Sequence, residues 1–445
     1  MTQETIELTE LVAAHDLEAV NDWLADNGAL DIAEELPRLE PTDQAVVFRL
    51  LPKDRAMAVF EALDPVDQQQ LIDALADESV YELFLHIDAD DRARLLDEMP
   101  ATVANRLLAN LPGYARDNTN RLLGYPEESA GRTMSPRYVN VRAGQTAADA
   151  LAKVRRAGLR PREVLVLPVT DDQRKLVGVV DLPDLVTAGT GTRVGELVRP
   201  ETYSVRVDED REVAARLVQE ADLVALPVVD TEDRLVGVLT VDDAMEVIEE
   251  EETEDIQRSG GVEPLGLPYL HAGVLHLARK RAVWLLVLIL AAVATVNVLE
   301  AFEDTLEAVV ALALFIPLLI DTGGNSGSQA ATVVIRAMAV GEVQFRDLPR
   351  ILHRELRVGL LLGLMLGAVG FPIVWVFYGI EFAIVISATL LVICTWASFA
   401  GGMLPVLARR FNIDPAVVSA PVITTLVDAT GLIIYFLIAR AVLGI

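Results

Sequence analysis

One cysteine, four lysines and five histidines among 445 residues leave this chain poor in several chemistries at once. The single thiol, Cys394, has no partner for an internal disulfide and lies in an apolar run. No histidine pair has metal-site spacing: His271 and His276 stand five apart, off one helical face, and read as interfacial. That disfavours zinc or copper. Only Lys53, Lys153 and Lys175 precede residue 270, in a stretch crowded with acids. Acid-rich, lysine-poor composition is also the signature of salt adaptation, so a carboxylate here is not by itself a ligand. The same field repels a phosphate backbone, which argues against nucleic acid as a partner. The opening MTQETIELTELV has no basic stretch leading into an apolar core, so no secretory signal is expected and the soluble half is placed in the cytoplasm. A nucleophile–base or metal-hydrolase constellation is missing too, and the chain does not read as an enzyme.

What is present divides in two. Residues 271–445 hold 11 acidic and 11 basic side chains, so the whole net charge of −29 falls on residues 1–270. An acidic soluble half therefore precedes a neutral apolar one. In the first half Leu39, Leu51, Leu63, Leu75, Ile87, Met99 and Leu111 recur every twelve residues. Proline or an acid follows closely, as in LEPTDQAVVFRL and LDPVDQQQLIDA. Proline suits the first turn of a helix, where its missing N–H costs little. Each unit reads as a helix of about two turns with an apolar stripe, and stacked units give a small α-superhelix.

A second repeat follows. LPVTDDQRKLVGVVDLPDL (167–185) matches LPVVDTEDRLVGVLTVDDA (226–244) at an offset of 59, and TMSPRYVNVRAG (133–144) matches LVRPETYSVRVD (197–208) at an offset of 64. The first copy thus carries about five extra residues near GLRPREV. Each copy reads as strand, helix, strand, turn, strand, helix. The pattern resembles a CBS-domain pair, a regulatory, dimerising module. That resemblance implies a ligand-responsive element, with Asp184 or Asp243 as a possible nucleotide contact; no convincing aromatic offers to stack an adenine, so an adenosine nucleotide stays open. Behind the second copy, VDDAMEVIEEEETEDIQRSGG crowds acids onto an expected helix ending near Gly260–Gly261. Like charges at helical spacing cost a few tenths of a kcal/mol per pair. Such a helix is either a solvated face or a collector of cations.

Five segments are long enough to cross a bilayer: roughly 282–299, 308–335, 356–379, 382–407 and 416–442. Basic clusters at 279–281, 336–357 and 409–410 fall on one side and only acids separate the first two spans, so the N-terminus is expected in the cytoplasm and the C-terminus outside. Charges inside the spans are functional candidates. Asp428 stands deep in the fifth, with Thr424 and Thr425 one turn before it, and Asp321 opens the patch DTGGNSGSQ in the second. Neither carboxylate is expected to find an arginine or lysine partner within the second or fifth span. A buried unpaired carboxylate must be protonated, paired or wet, and a water-filled cation path is the economical choice. Gly323, Gly324 and Gly327 weaken a helix, so the patch is expected to break it where a cavity covers the backbone. Tight helix packing alone is the rival explanation.

The order of helical repeat, CBS-like pair, acidic helix and five spans, with PLLIDTGGNSGSQ in the second and NIDPAVVSAPVITTLVDATG leading into the fifth, resembles the MgtE family of magnesium transporters and channels over essentially the whole chain. The resemblance implies three parts: an all-α superhelical N-terminal domain (1–130), an α/β CBS-domain pair (131–248) and, after an acidic connecting segment (249–280), a five-helix all-α transmembrane domain (281–445). It implies a homodimer in the cell membrane with an ion path on the dimer axis, passing Mg²⁺ inward. Asp428 becomes the pore carboxylate, Gly323, Gly324, Asn325 and Gly327 a pore-lining turn, and Thr424 and Asp321 its neighbours. Intracellular Mg²⁺ is implied as the closing ligand at Asp210, Glu212, Asp222, Asp243, Glu246, Glu254, Asp255 and Asp414, with Asp90 and Asp91 as partners from the helical domain. An ion-coupled secondary transporter is the alternative, with Asp321 as the coupling group.

Overall fold

The computed structural model describes residues 8–14, 17–75, 84–99, 101–267, 269–270, 272–411, 413–418 and 420–445, and forms two compact units, Met1–Glu251 and Glu252–Ile445. His271, read with His276 as interfacial, lies outside the described residues.

After helices Leu8–Ala13, Leu17–Asp26 and Ala29–Glu35, the first unit carries the twelve-residue repeat. Helices Pro41–Leu50, Lys53–Glu61, Pro65–Ala74, Ala89–Glu98 and Ala101–Asn110 are nine or ten residues each, with prolines at the first position of two of them. Ten residues make nearly three turns, about 2.8, so the units are longer than the two turns expected. The periodic residues Leu39, Leu51, Leu63, Leu75, Ile87, Met99 and Leu111 are all buried, and they stand between helices rather than inside them. One such residue locks each link into the common core.

The CBS-like repeat follows as two small sheets. In the first copy β1 (Val166–Thr170) pairs antiparallel with β2 (Leu176–Asp181); in the second, β3 (Val205–Arg206) runs parallel to β4 (Ala225–Val229), which pairs antiparallel with β5 (Leu235–Thr240). The first strand expected in copy one shrinks to a single bridge, Val141 to Val169. Helices Ala147–Ala157 and Arg211–Glu220 keep the offset of 64, and the strands keep 59. The extra residues form a loop with a short 3₁₀ turn, Pro161–Val164. The copies also exchange backbone bonds. Ser135 and Val238 bond each other in both directions, Arg199 N–H donates to Val179, and the turns meet through Leu176 N–H to Asp233 and Leu235 N–H to Arg174. Helices 89–98 and Gly113–Leu123 share the second copy's core through Ala89, Ala93 and Leu122.

The second unit holds five helical stretches long and apolar enough to cross a membrane: Val274–Ala301, Val310–Ala339, Phe345–Tyr378, Ile380–Arg410 and Pro421–Leu443. The glycine patch does not break the second span. A 3₁₀ segment, Val310–Phe315, precedes Pro317, and from Ile316 to Ala339 one α-helix runs straight through DTGGNSGSQ. The irregular backbone thus lies a full turn before the patch, and the glycines serve contact instead. A Cβ on Gly323 would stand 2.5 Å from Ile393 Cγ2, and one on Gly327 would stand 2.8 Å from Ile423 Cγ2. The third span repeats the device with Gly359, Gly363 and Gly367, one turn apart, against the fourth. A Cβ at Gly359 would meet Cys394 O at 2.6 Å and Thr395 Cα at 2.7 Å. Gly359→Leu is therefore expected to cost more than the ~1–3 kcal/mol typical of overpacking, because backbone is what it strikes. Size-exclusion chromatography of the fluorescently tagged protein checks this, and an unaltered, monodisperse peak would count against the close approach.

Candidate functional site

The small residues of the second span occupy one face and the polar ones another. Gly323, Gly324, Ser326, Gly327, Ala330 and Ala331 are buried, while Asp321, Asn325, Gln329, Thr332 and Arg336 form an exposed stripe at spacings of four, four, three and four. Close packing thus occupies one side of the helix and an exposed polar stripe the other. Asp428, on the fifth helix (Ala420–Leu443), is near enough to Asp321 for the two charges to interact. Thr424 and Thr425 both donate to Pro421 O at 2.9 Å. The Thr424 methyl packs on Gly324, where an added Cβ would stand 3.0 Å away, so this threonine helps fit the two helices together. Arg440 is a cation in the fifth span that the sequence reading passed over. It follows Asp428 by twelve residues, about 18 Å of helix, and is engaged elsewhere: its Nε donates to Thr305 Oγ1 at 2.8 Å and its guanidinium lies over Phe302.

In the first unit the start of helix 89–98 meets the start of the acidic helix, Val241–Ser259. This brings Asp90 and Asp91 to Asp243 and Glu246, with Asp88 alongside. Asp90 Oδ1 is buried without a hydrogen-bond partner. Arg94 bridges the group, at 2.7 Å from Glu246 and 3.4 Å from Glu250. Burial pushes the Asp91 carboxyl up to about 6 despite Arg94. Burial likewise raises Asp243 to about 7, against a hydrogen bond from Thr240 and with added repulsion from Asp242, Asp91 and Glu246. Asp90 is also raised, by burial first and then by Asp243, Asp91 and Asp88.

A second group surrounds Arg211, which reaches Glu128 at 2.9 Å, Glu250 at 2.8 Å and Glu251 at 2.9 Å. Glu212 adds its charge to Glu251 from one side and pairs with Arg216 at 2.6 Å. Asp210 caps helix 211–220, accepting from Glu212 N at 2.7 Å. Asp222 stands exposed beyond the other end of that helix, in a left-handed conformation matching that of Gly158 in the first copy. It does not join these groups. In the second unit Glu254, Asp255 and Asp414 gather around Arg258, whose Nη1 donates to Asp414 at 2.6 Å. Asp414 Oδ1 also accepts from Ala416 N at 2.8 Å. The sequence reading found most of these acids and missed Arg94, Arg211 and Arg258, although each lies four residues or fewer from an acid along a helix.

Among the described residues, no three His, Cys, Asp or Glu side chains converge tightly enough to hold a bare ion. Carboxylates can also hold an ion through its water shell, which Mg²⁺ gives up reluctantly. Asp91 and Asp243 hold protons more tightly folded than unfolded. Their contribution is complete below about pH 4 and is lost as pH rises through about 6 to 7. In chelator, protection of residues 89–98 against hydrogen exchange, corrected for intrinsic rates, is therefore expected to fall between about pH 4 and 7 and to level off above that. Added Mg²⁺ should restore it most at the upper end. Rising protection over that range would contradict the placement of these carboxyls.

Three family models match the chain: "MgtE intracellular N domain" over residues 28–128, "CBS domain" over 130–191 and 194–250, and MgtE, "Divalent cation transporter", over 316–438. The magnesium transporter MgtE of Thermus thermophilus is 43% identical over 340 residues, 76% of this chain and 75% of that one. Its namesake in Enterococcus faecalis is 32% identical over 319 residues, 72% and 70% of the two chains. The crystal structure of the cytosolic domain of the Mg²⁺ channel MgtE in complex with ATP is 35% identical, with a TM-score of 0.50, covering 54% of this chain and 98% of that one.

Proposed function

The chain belongs to the MgtE family of magnesium transporters, and on that premise we propose that two copies form a passive Mg²⁺ pathway where their second and fifth spans face each other. The observation that carries this reading is the exposed stripe of Asp321, Asn325 and Gln329 beside Asp428. Carboxylates and amides do not face hydrocarbon without heavy cost. A second copy related by a two-fold axis covers the stripe and doubles it around a water-filled path. Mg²⁺ gives up water reluctantly. Amide oxygens and two symmetry-related carboxylates can hold its hydration shell, tightly enough for entry and weakly enough for exit.

In this reading the protein lies in the cell membrane with its soluble half in the cytoplasm and its C-terminus outside, which the one-sided basic clusters support. Cytoplasmic Mg²⁺ then acts as the closing ligand. The acids at Asp90, Asp91, Asp243 and Glu246, those around Arg211, and Glu254, Asp255 and Asp414 repel when bare, and divalent ions bridging them draw the elements together. Residues 1–130 and 131–248 are the sensing part in this scheme. A relative's cytosolic domain holds ATP; of the two aspartates considered for a nucleotide, Asp243 is committed to Thr240 and its acidic neighbours, which leaves exposed Asp184. Recording Mg²⁺ flux from proteoliposomes under imposed proton or Na⁺ gradients tests the passive reading. Flux that follows either gradient would replace it with coupled transport.

A further inference from the structure

A groove of about 480 Å³ runs between the third and fourth spans, lined by Leu356, Leu360, Leu391, Thr395, Trp396 and Phe399. Its two polar side chains are already satisfied within the protein. Thr395 Oγ1 donates to Leu391 O at 2.7 Å, and Trp396 Nε1 donates to Thr430 Oγ1 at 2.8 Å. What the groove presents outward is hydrocarbon. At its basic end the third helix exposes Arg350, His353 and Arg357, spaced by three and four residues, and the same stripe continues upward into Leu360 and Leu364. Arg350 pairs with Asp347 at 3.1 Å. Among the described residues no carboxylate forms an ion pair with Arg357. Glu355, two residues away, turns its stem toward Gly402 on the fourth helix.

We propose that this groove seats an anionic phospholipid of the leaflet on the basic side, with an acyl chain against Leu360 and Trp396 and the phosphate on Arg357. The fit is one of paired chemistry. A guanidinium at the edge of the hydrocarbon region, next to an apolar trough, calls for a ligand with an anion at one end and a chain at the other. A helix of a second copy filling the trough would need its own acid at that level to meet Arg357. A phospholipid carries both parts at fixed spacing. The assignment stands apart from the ion pathway, which lies on the Asp321 and Asp428 faces.

Trp396 reports occupancy directly. The full-length protein is reconstituted in phosphatidylcholine bilayers containing a small fraction of lipid with brominated acyl chains, and the quenching due to Trp396 is isolated by subtracting the signal of Trp396→Phe. Brominated phosphatidylglycerol is expected to quench Trp396 at several-fold lower content than brominated phosphatidylcholine, since each arginine near the surface favours anionic lipid about fivefold. Arg357→Gln should remove most of that preference and leave quenching by phosphatidylcholine unchanged. Native mass spectrometry gives a second reading: the wild type should retain one more phosphatidylglycerol per chain than Arg357→Gln. Equal quenching by the two lipids would reduce the groove to ordinary solvation and overturn the proposal. Absence of Trp396-dependent quenching by either lipid would overturn it as well, showing that protein covers the groove.

Discussion

Alanine at position 428 is expected to lower Mg²⁺ uptake by more than about a hundredfold while leaving the protein folded and in the membrane. At an effective dielectric of about 20, two unit charges ~4 Å apart interact by about 4 kcal/mol, and a divalent ion doubles that figure before desolvation is charged against it. In the proposed dimer the substitution removes two carboxylates from one path. Asp428→Asn should fall nearly as far, because it keeps the shape and removes the charge; Asp428→Glu should retain part of the flux. Asp321 stands at the exposed edge of the same pair of helices, and Asp321→Asn is expected to have the smaller effect, about tenfold or less on the same electrostatic scale. Uptake measured with a Mg²⁺-sensitive dye in proteoliposomes separates these cases. Wild-type flux through Asp428→Ala would remove the carboxylate from the pathway.

Removing the helical domain is expected to leave conduction intact and to weaken closure by cytoplasmic Mg²⁺ by more than about tenfold in concentration. The cut belongs after residue 124 and not after 130. Tyr125 packs on Gly131, Ala130 N–H donates to Glu209 O at 2.8 Å and Gly131 N–H to Val207 O at 3.0 Å. Those residues complete the second CBS-like copy, so a later cut would damage the part left behind. The deletion takes Asp90 and Asp91 away from Asp243 and Glu246. Asp91→Asn combined with Asp243→Asn tests the same idea without a deletion, and the two changes should act together rather than add, since they remove charges from one cluster. Patch recording while internal Mg²⁺ is stepped reads both. Closure at an unchanged concentration would mean that sensing resides elsewhere.

Much of the architecture is written in spacings. The twelve-residue recurrence places its leucines at every link of the helical domain, and the offsets of 59 and 64 reappear as pairs of strands and helices. Even the turn residues obey the first offset: Arg174 and Asp233, 59 apart, both take positive φ. The glycine patch was harder to read, because glycine's helix propensity is a local property and its use here is not. Between packed helices the missing Cβ gains more contact than the helix loses, so the chain stays helical where propensity alone argues for a break. The stripe of Gly359, Gly363 and Gly367 carried the same signal in plain spacing and went unread. The distant partners of the arginines among the acids were invisible for another reason. Arg94 meets Glu246 across 152 residues and Arg258 meets Asp414 across 156, and no local pattern announces such a meeting.

The crossed backbone bonds of the two CBS-like copies set how this part of the protein responds to force. Ser135 belongs to the first copy and bonds the last strand of the second; Arg199, on the second copy's leading segment, bonds the last strand of the first. Each sheet thus holds an edge of the other, and shedding either edge costs bonds in both copies. The pair is expected to open as one cooperative unit. A load applied to one copy is therefore expected to reach the other with little slack.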